Sequence, residues 1–380
     1  MALNHFGPID TAEIIENVRA WAHTANAVAL PDGGLFLVWS AGQFEEAEDM
    51  VVAGARMDKD GKWGKAHVVV DRFELEGETW IPWCPTVLQA ADGSLHVFCM
   101  GNPRSGYIFA PYPVSTVRSA WMLGDDQANR MFHACLKPDL TCGRIEMLLP
   151  DENGVNVQGR PLHLQSGGWA VPFDSMTTLH SHFLILDEQV RFREKRGDLV
   201  CPPGSCEPAV VQLPNGDVIC YVRFDPKGSD WYSRLVKDAQ TPHGHIWKTV
   251  SHDECRTFSE PVPTNLRNPN AGIDIALARS GRFLIAFNDS YSLRLPLSVG
   301  ISDDLGRTFR VRDVETALAE PYYGWPFANY MRNCHAYPKL AQTRNGIWHL
   351  FYSHRMECIK HVWFDEQALE QGRKVVGLDD

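Results

Sequence analysis

Short apolar and aromatic runs alternate along this chain with turns in which Asp, Asn or Ser precedes a glycine. The turns are Pro31-Asp32-Gly33, Asp92-Gly93, Ser166-Gly167, Asn215-Gly216, Ser280-Gly281 and Asn345-Gly346. Strand-like segments follow them: Leu35 to Trp39, Leu95 to Phe98, Val218 to Val222, Phe283 to Phe287 and Trp348 to Tyr352. These are β-branched and aromatic residues bounded by turn formers, the composition of half-buried strands. The third instance, Trp169 to Phe173, has the weakest pattern. The turn glycines lie 60, 74, 49, 65 and 65 residues apart, near-even spacing of the kind a radial repeat produces. Six hairpin signals predict an all-β protein of six four-stranded blades around a channel, a six-bladed β-propeller. No linker rich in Gly, Pro or Ser divides the chain. The expected organisation is an N-terminal extension over residues 1–20, with a weak helical pattern from Met1 to Arg19, and one propeller over residues 21–380.

A second repeat interleaves with the first. Ser302-Asp303-Asp304-Leu305-Gly306-Arg307-Thr308-Phe309 is its best copy, and Ser251 to Phe258 repeats it with Cys255 in the glycine position. Ser302 and Asp304 are short polar side chains that bond backbone N–H groups within a turn. The turn accounts for Asp303 and Asp304 without giving them chemistry. Poorer copies run from Gly124 to Phe132, from Asp58 to Trp63 and from Leu186 to Phe192. The Ser-x-Asp-x-Gly-x-Thr-Phe pattern resembles the Asp-box, or BNR repeat, of the sialidase superfamily. The segments Asn268 to Asp274 and Ile359 to Val362 resemble that family as well, so the likeness extends from about Trp21 to Asp365. It implies a sialidase-like six-bladed propeller.

Composition narrows the function. The formal net charge is −11 with no basic cluster, which argues against nucleic acid as a partner. No apolar run reaches the length of a membrane span, and the first thirty residues carry Asp10, Glu13, Glu16 and Arg19 without an apolar segment. A cytoplasmic location with free thiols is expected for the ten scattered cysteines. Cys201 and Cys206 form a half-site without a companion, so no metal and no cofactor are expected. The oligomeric state is not legible.

The resemblance also implies a site. Sialidases hold a sugar carboxylate with three arginines and use a Tyr–Glu pair as nucleophile and activator, with a separate carboxylic acid as acid/base. The tyrosine is an exception to the usual pair of carboxylates; a neutral nucleophile escapes repulsion by the substrate's own carboxylate. Guanidinium suits that carboxylate because two parallel N–H bonds match its oxygens. Glu207 and Arg223 resemble the activating glutamate and one triad arginine, Arg294 a second arginine, and Tyr337 the nucleophile. Arg160 and Arg355 are weaker pocket candidates. Where the remaining arginine belongs, this chain has His23, whose imidazole cannot make the bidentate bond. If it titrates near its ordinary value, anion binding should strengthen in mild acid. The acid/base belongs on the loop Gly42 to Asp49, with Glu45 and Asp49 favoured. Trp80, Trp83, Tyr322, Tyr323, Trp325 and Phe327 are candidates for stacking on sugar rings.

The function implied is an exo-acting, retaining, sialidase-like glycoside hydrolase with a carbohydrate substrate, acidic or related. One alternative is a uronate lyase in which Tyr337 and His23 serve as acid and base. Another is a carbohydrate-binding propeller without catalysis.

Overall fold

A computed structural model describes residues 11–106, 108–110, 121–123, 126–201, 205–224, 244–291, 293–316 and 334–378. The aromatic segment 321–332 lies outside them. Six antiparallel sheets form six blades. Blade one comprises Trp21–Ala29, Leu35–Gly42, Val51–Met57 and His67–Val70, paired in sequence order. Blade two comprises Glu78–Gln89, Leu95–Pro103, Arg130–Leu136 and Cys142–Leu148, with Phe73–Leu75 added at its inner edge. In blade three the innermost strand is broken into Val155–Asn156 and Leu162–His163, both paired with Trp169–Ser175; this is why its hairpin pattern is faint in the sequence. Ser205–Gln212 to Val262–Arg267 form blade four and Asp274–Leu277 to Thr308–Glu315 blade five, which Arg373–Val376 extends.

Blade six comprises His335–Gln342, Trp348–His354 and Cys358–Phe364, and its fourth strand is Thr11–Ile15 from the other end of the chain. The helical expectation for the N-terminal segment is therefore corrected at these five residues. Pairing to an open sheet edge overrides a weak local preference. Glu13 stands opposite His361 in this pairing, and its Oε1 lies 2.8 Å from His361 Nδ1 while accepting a 2.7 Å bond from Trp63 Nε1 of blade one. The carboxylate thus bridges the last blade and the first.

All six Asp/Asn/Ser-Gly turns join the first and second strands of a blade, and their glycines share φ between 85° and 96°, where a side chain would be strained. The two good Asp-boxes join third and fourth strands. In each, the serine Oγ accepts from the backbone N–H four residues on (2.9 Å), and the aspartate accepts from the threonine N–H (2.8 Å) and hydroxyl (2.6 Å). Burial raises the Asp253 and Asp304 carboxyls, but these bonds outweigh it and hold both at about 2. Asp58 and Asp187 cap the corresponding turns of blades one and three. The copy read at 124–132 is misplaced. In blade two the Asp-capped turn is Lys137 to Thr141, where Asp139 accepts from Thr141 N (3.0 Å).

Six apolar clusters fill the six gaps between neighbouring blades. A seventh, with Trp21, Trp83, Met100, Cys334 and Tyr337, lies under one end of the channel. Trp80 and Trp83 are buried, Trp80 against Phe132, so neither is a stacking platform. The described cysteines are free, and among the described residues no helix is long and apolar enough to cross a membrane.

Two outcomes follow. Glu13→Ala should lower the unfolding free energy by about 1–3 kcal/mol, the cost of orphaning buried partners. Glu146→Ala, at the equivalent but more exposed bond to His133 in blade two (3.0 Å), should cost less; denaturant titration of both variants is the check. The Asp-box carboxyls are depressed in the folded state, so their contribution is present above about pH 4 and is lost as pH falls towards 2. Asp253→Asn/Asp304→Asn should therefore flatten the acid limb of stability against pH.

Candidate active site

Four innermost strands carry a register slip. The slips fall between His23 and Asn26, Trp83 and Thr86, Cys206 and Ala209, and Ala336 and Lys339. Each holds one non-glycine residue at positive φ: Thr24 (51°), Cys84 (47°), Glu207 (55°) and Tyr337 (54°). A β-bulge re-aims a side chain at the expense of ladder pairing. Two of these four residues are the sequence candidates Glu207 and Tyr337. Polar side chains of the preceding blade take up N–H groups at three of the bulges. Cys84 N donates to Ser40 Oγ (2.7 Å), Glu207 N to Asp174 Oδ1 (2.9 Å) and Leu340 N to Asp274 Oδ2 (2.8 Å). Left-handed conformation costs a non-glycine residue roughly 1–2 kcal/mol, and these bonds hold it in place.

The resulting cluster is compact. Tyr337 Oη donates to Glu207 Oε1 (2.7 Å), and Arg223 Nη1 donates to Tyr337 Oη (2.7 Å) and to Glu207 Oε1. Arg223 Nε is fixed by Asn270 Oδ1 (2.7 Å). Arg294 donates to Asn270 O (3.1 Å), and its guanidinium stands 5.3 Å from the Tyr337 ring centre; that of Arg223 stands at 5.9 Å. His23 meets the same ring edge-on at 4.4 Å, with Nδ1 2.6 Å from Ser353 Oγ and a buried Nε2 that has no partner among the described residues. Tyr337, Glu207, Arg223 and His23 are buried, and Asn270 and Arg294 are partly so.

Burial pushes the Tyr337 phenol well above its ordinary range; Arg223 and Arg294 oppose this, while Glu207 and Glu45 add to it. Burial drives the His23 imidazole well down, and the charges of Arg294 and Arg223 drive it further. His23 is thus held neutral, and the expected gain of charge in mild acid is corrected. Asp174 behind Glu207 is raised well above the carboxylate range, by burial and then by the Glu207 charge.

The structure brings together Tyr337, Glu207, Arg223, Arg294 and His23. Glu45, half-buried, is near enough for its charge to act on Tyr337 and Cys334. Asp49 is turned to other work: it accepts from Gln43 N (3.0 Å) and faces Arg19 Nε at 3.9 Å. Arg160 stands apart. It donates to Leu340 O (3.1 Å) and Ile275 O, and lines a cavity of about 330 Å³ with Arg279, Trp169 and Trp348 at the other ends of the innermost strands. Arg355 sits in a tight turn of blade six, its N–H on Cys334 O (2.8 Å) and its charge acting on His335 and His354. The sequence reading missed Asp174, Asn270 and the close approach at Gly272. Asn270 and Gly272 lie in the family-like segment 268–274, while an aspartate inside the apolar strand Trp169–Ser175 was the one signal for Asp174.

A profile of the BNR repeat-like domain matches residues 33–350. The chain belongs to the sialidase-like BNR-repeat family. Similar solved structures include the NanB sialidase from Streptococcus pneumoniae, at 12% identity over 94% of this chain and 70% of that one, with a TM-score of 0.67. A leech intramolecular trans-sialidase is similar at 12% identity, 97% and 71% coverage and a TM-score of 0.64. A protein of unknown function from Dyadobacter fermentans matches at 12% identity, 93% and 97% coverage and a TM-score of 0.65. At such identities the likeness is one of fold. No curated protein matches the sequence.

A Cβ on Gly272 would come 2.7 Å from Tyr337 Cδ1 and 3.1 Å from Glu207 Oε2. Gly272→Ala should displace the ring from Glu207 and cost about 1–3 kcal/mol through overpacking. Denaturant unfolding tests the cost and a crystal structure of the variant tests the displacement; unchanged stability and ring position would mean that the contact has slack.

Proposed function

We propose that this protein is a retaining exo-glycoside hydrolase acting on a sugar that carries an anionic group, with Tyr337 as nucleophile. The observation that carries this reading is the Tyr337–Glu207–Arg223 triangle. A buried phenol is a poor nucleophile until its proton leaves. Glu207 Oε1 already accepts that proton's hydrogen bond and takes it as Tyr337 Oη attacks the anomeric carbon. Arg223, bonded to both oxygens, stabilises the negative charge that Tyr337 Oη gains as its proton passes to Glu207. Arg223 and Arg294 bind the anionic group. Glu45 protonates the leaving oxygen, and as a base draws the proton from the water that releases the sugar.

His23 sets the substrate. A neutral imidazole in the place of a third arginine leaves two fixed positive charges and removes a fork of donors. A charge-assisted bond to a desolvated carboxylate is worth roughly 1.5–3 kcal/mol, so ordinary sialosides should be poor substrates. A second reading rests on the 4.4 Å edge contact of His23 with Tyr337: a neutral imidazole beside a phenol is a base–acid pair suited to uronate elimination. Elimination leaves an unsaturated sugar that absorbs in the ultraviolet, and hydrolysis does not.

A panel of aryl glycosides and acidic oligosaccharides, with product analysis, decides between them. Tyr337→Phe and Glu207→Gln should each lower kcat by at least about 10²-fold. Glu45→Gln should slow poor leaving groups far more than an aryl leaving group that needs no proton. His23→Arg should raise kcat/KM for an aryl sialoside by roughly ten- to a hundredfold. Efficient wild-type turnover of that sialoside, with no gain from the arginine, would overturn the assignment of His23. Absence of any glycan cleavage together with saturable glycan binding would leave a binding propeller instead.

A further inference from the structure

Outside the pocket, one buried group of side chains has no role in the reading above. We propose that Glu315, His335 and His354 form a binding site for a divalent transition-metal ion of the zinc type. One ligand atom from each of the three lies within 4.8 Å of the others. His335 is 1% exposed, and neither of its ring nitrogens has a hydrogen-bond partner among the described residues; His354 Nδ1 has none either and stands 3.8 Å from Glu315 Oε2. A buried polar atom without a partner is costly, and His335 leaves both ring nitrogens bare among the described residues.

The donor set selects the ion. Two imidazoles and one carboxylate suit Zn²⁺, Co²⁺ or Ni²⁺, whereas Ca²⁺ and Mg²⁺ require shells of oxygen. Bonds of about 2.0–2.2 Å to a common ion bring donors within roughly 3–4 Å of each other, a closure within reach of small side-chain rotations.

Lys360 opposes the ion. Its Nζ donates to Glu315 Oε2 (2.7 Å), as Tyr352 Oη does at 3.4 Å. The Oε2 that faces His354 is thus the one the ammonium holds, and the ammonium weakens metal binding by that competition and by like-charge repulsion. The Arg355 charge is close enough to both imidazoles to act in the same sense. Two thiols, Cys334 and Cys358, are close in the chain and are the competing ligands.

The place suits a clamp. Glu315 ends the strand Thr308–Glu315 of blade five, and His335 opens the innermost strand of blade six. An ion shared by them and by His354 ties both ends of the connection 316–334. His335 N also donates to Arg294 O (3.1 Å), so the clamp braces the wall that carries Arg294. Spacings of 20 and 19 residues between the three match no metal motif, so local patterning does not reveal them.

The test is titration of the chelator-treated full chain with Zn²⁺ and Co²⁺. Expected are one equivalent bound, a visible Co²⁺ spectrum without intense near-ultraviolet thiolate bands, and a rise in Tm with Zn²⁺. His335→Ala/His354→Ala should weaken binding at least about a hundredfold. Lys360→Gln should tighten it by about tenfold, a gain that poor folding of a variant cannot imitate. His354→Gln serves if the double variant does not fold. Failure of both wild type and Lys360→Gln to bind one equivalent, thiolate bands in the Co²⁺ spectrum, or undiminished binding without the histidines would overturn the site. None of these readouts depends on the proposed hydrolase activity.

Discussion

Ring closure is the constraint on which the rest depends. Each blade covers an apolar face of the next, and the six clusters between blades are complete only when the last blade meets the first. The chain ends its circuit one strand short, and Thr11–Ile15 supplies that strand against Cys358–Phe364. Glu13 places a carboxylate between His361 of blade six and Trp63 of blade one. Behind it runs a chain of imidazoles, with His349 Nδ1 2.9 Å from His361 Nε2. Blade two repeats the arrangement, with His96 Nδ1 2.8 Å from His133 Nε2 and His133 on Glu146. There the glutamate belongs to the next strand of the same blade. In blade six it comes from the far end of the chain, so an ordinary feature of a sheet becomes the fastener of the ring.

Closure gives the bulges their meaning. An innermost strand that ran regularly would alternate its side chains between the two faces of its blade. A slip with one residue at positive φ turns a side chain towards the axis instead, and the ring superimposes these slips at one level. The cost is met locally by the preceding blade, as Asp174 does for the Glu207 N–H. Removal of blade three or blade five would unseat the bulge of the blade that follows, which ties the geometry of Glu207 and Tyr337 to the intact circle.

Much of this was legible from residues. The six turns were read correctly because a glycine after a short polar residue has a specific local cause, a positive φ. The Asp-boxes at 251 and 302 were legible for the same reason. Legibility failed where the cause is distant. Thr11 to Ile15 carry no strand signal strong enough to beat a helical one, and only the open edge of blade six decides them. The Asp-capped turn of blade two, at Asp139, lacks the serine and the glycine and was read instead at 124–132. Glu207, Arg223, Arg294 and Tyr337 were named from their order in a family pattern, and the structure gathers them. The distinction of Glu45 from Asp49 was beyond the sequence, because both sit on one acidic loop and only folding turns Asp49 towards Gln43 and Arg19. Asp174, Ser40 and the group around His335 leave no trace in local patterning, since each is defined by what another blade brings to it.

The electrostatics of the site turn on the imidazole at position 23. Guanidinium charge lowers the phenol pKa of Tyr337 and burial raises it, and here burial prevails. A third arginine at position 23 would add to the first effect. The imidazole present there adds nothing, because the two remaining arginines themselves, on top of burial, keep it neutral. On the proposed mechanism the nucleophile therefore starts from a more firmly protonated state than three arginines would give it. More of the work of ionising it falls on the Glu207 hydrogen bond and on whatever charge the substrate brings. An anionic substrate would partly offset Arg223 and Arg294 and hold the phenol proton more tightly still. An anionic group held further from the anomeric carbon would offset the two guanidiniums less, so that they oppose the rise of the phenol pKa more fully. On the proposed mechanism, His23 thus favours a sugar whose anionic group is set back from the anomeric carbon over one that carries a carboxylate directly on it.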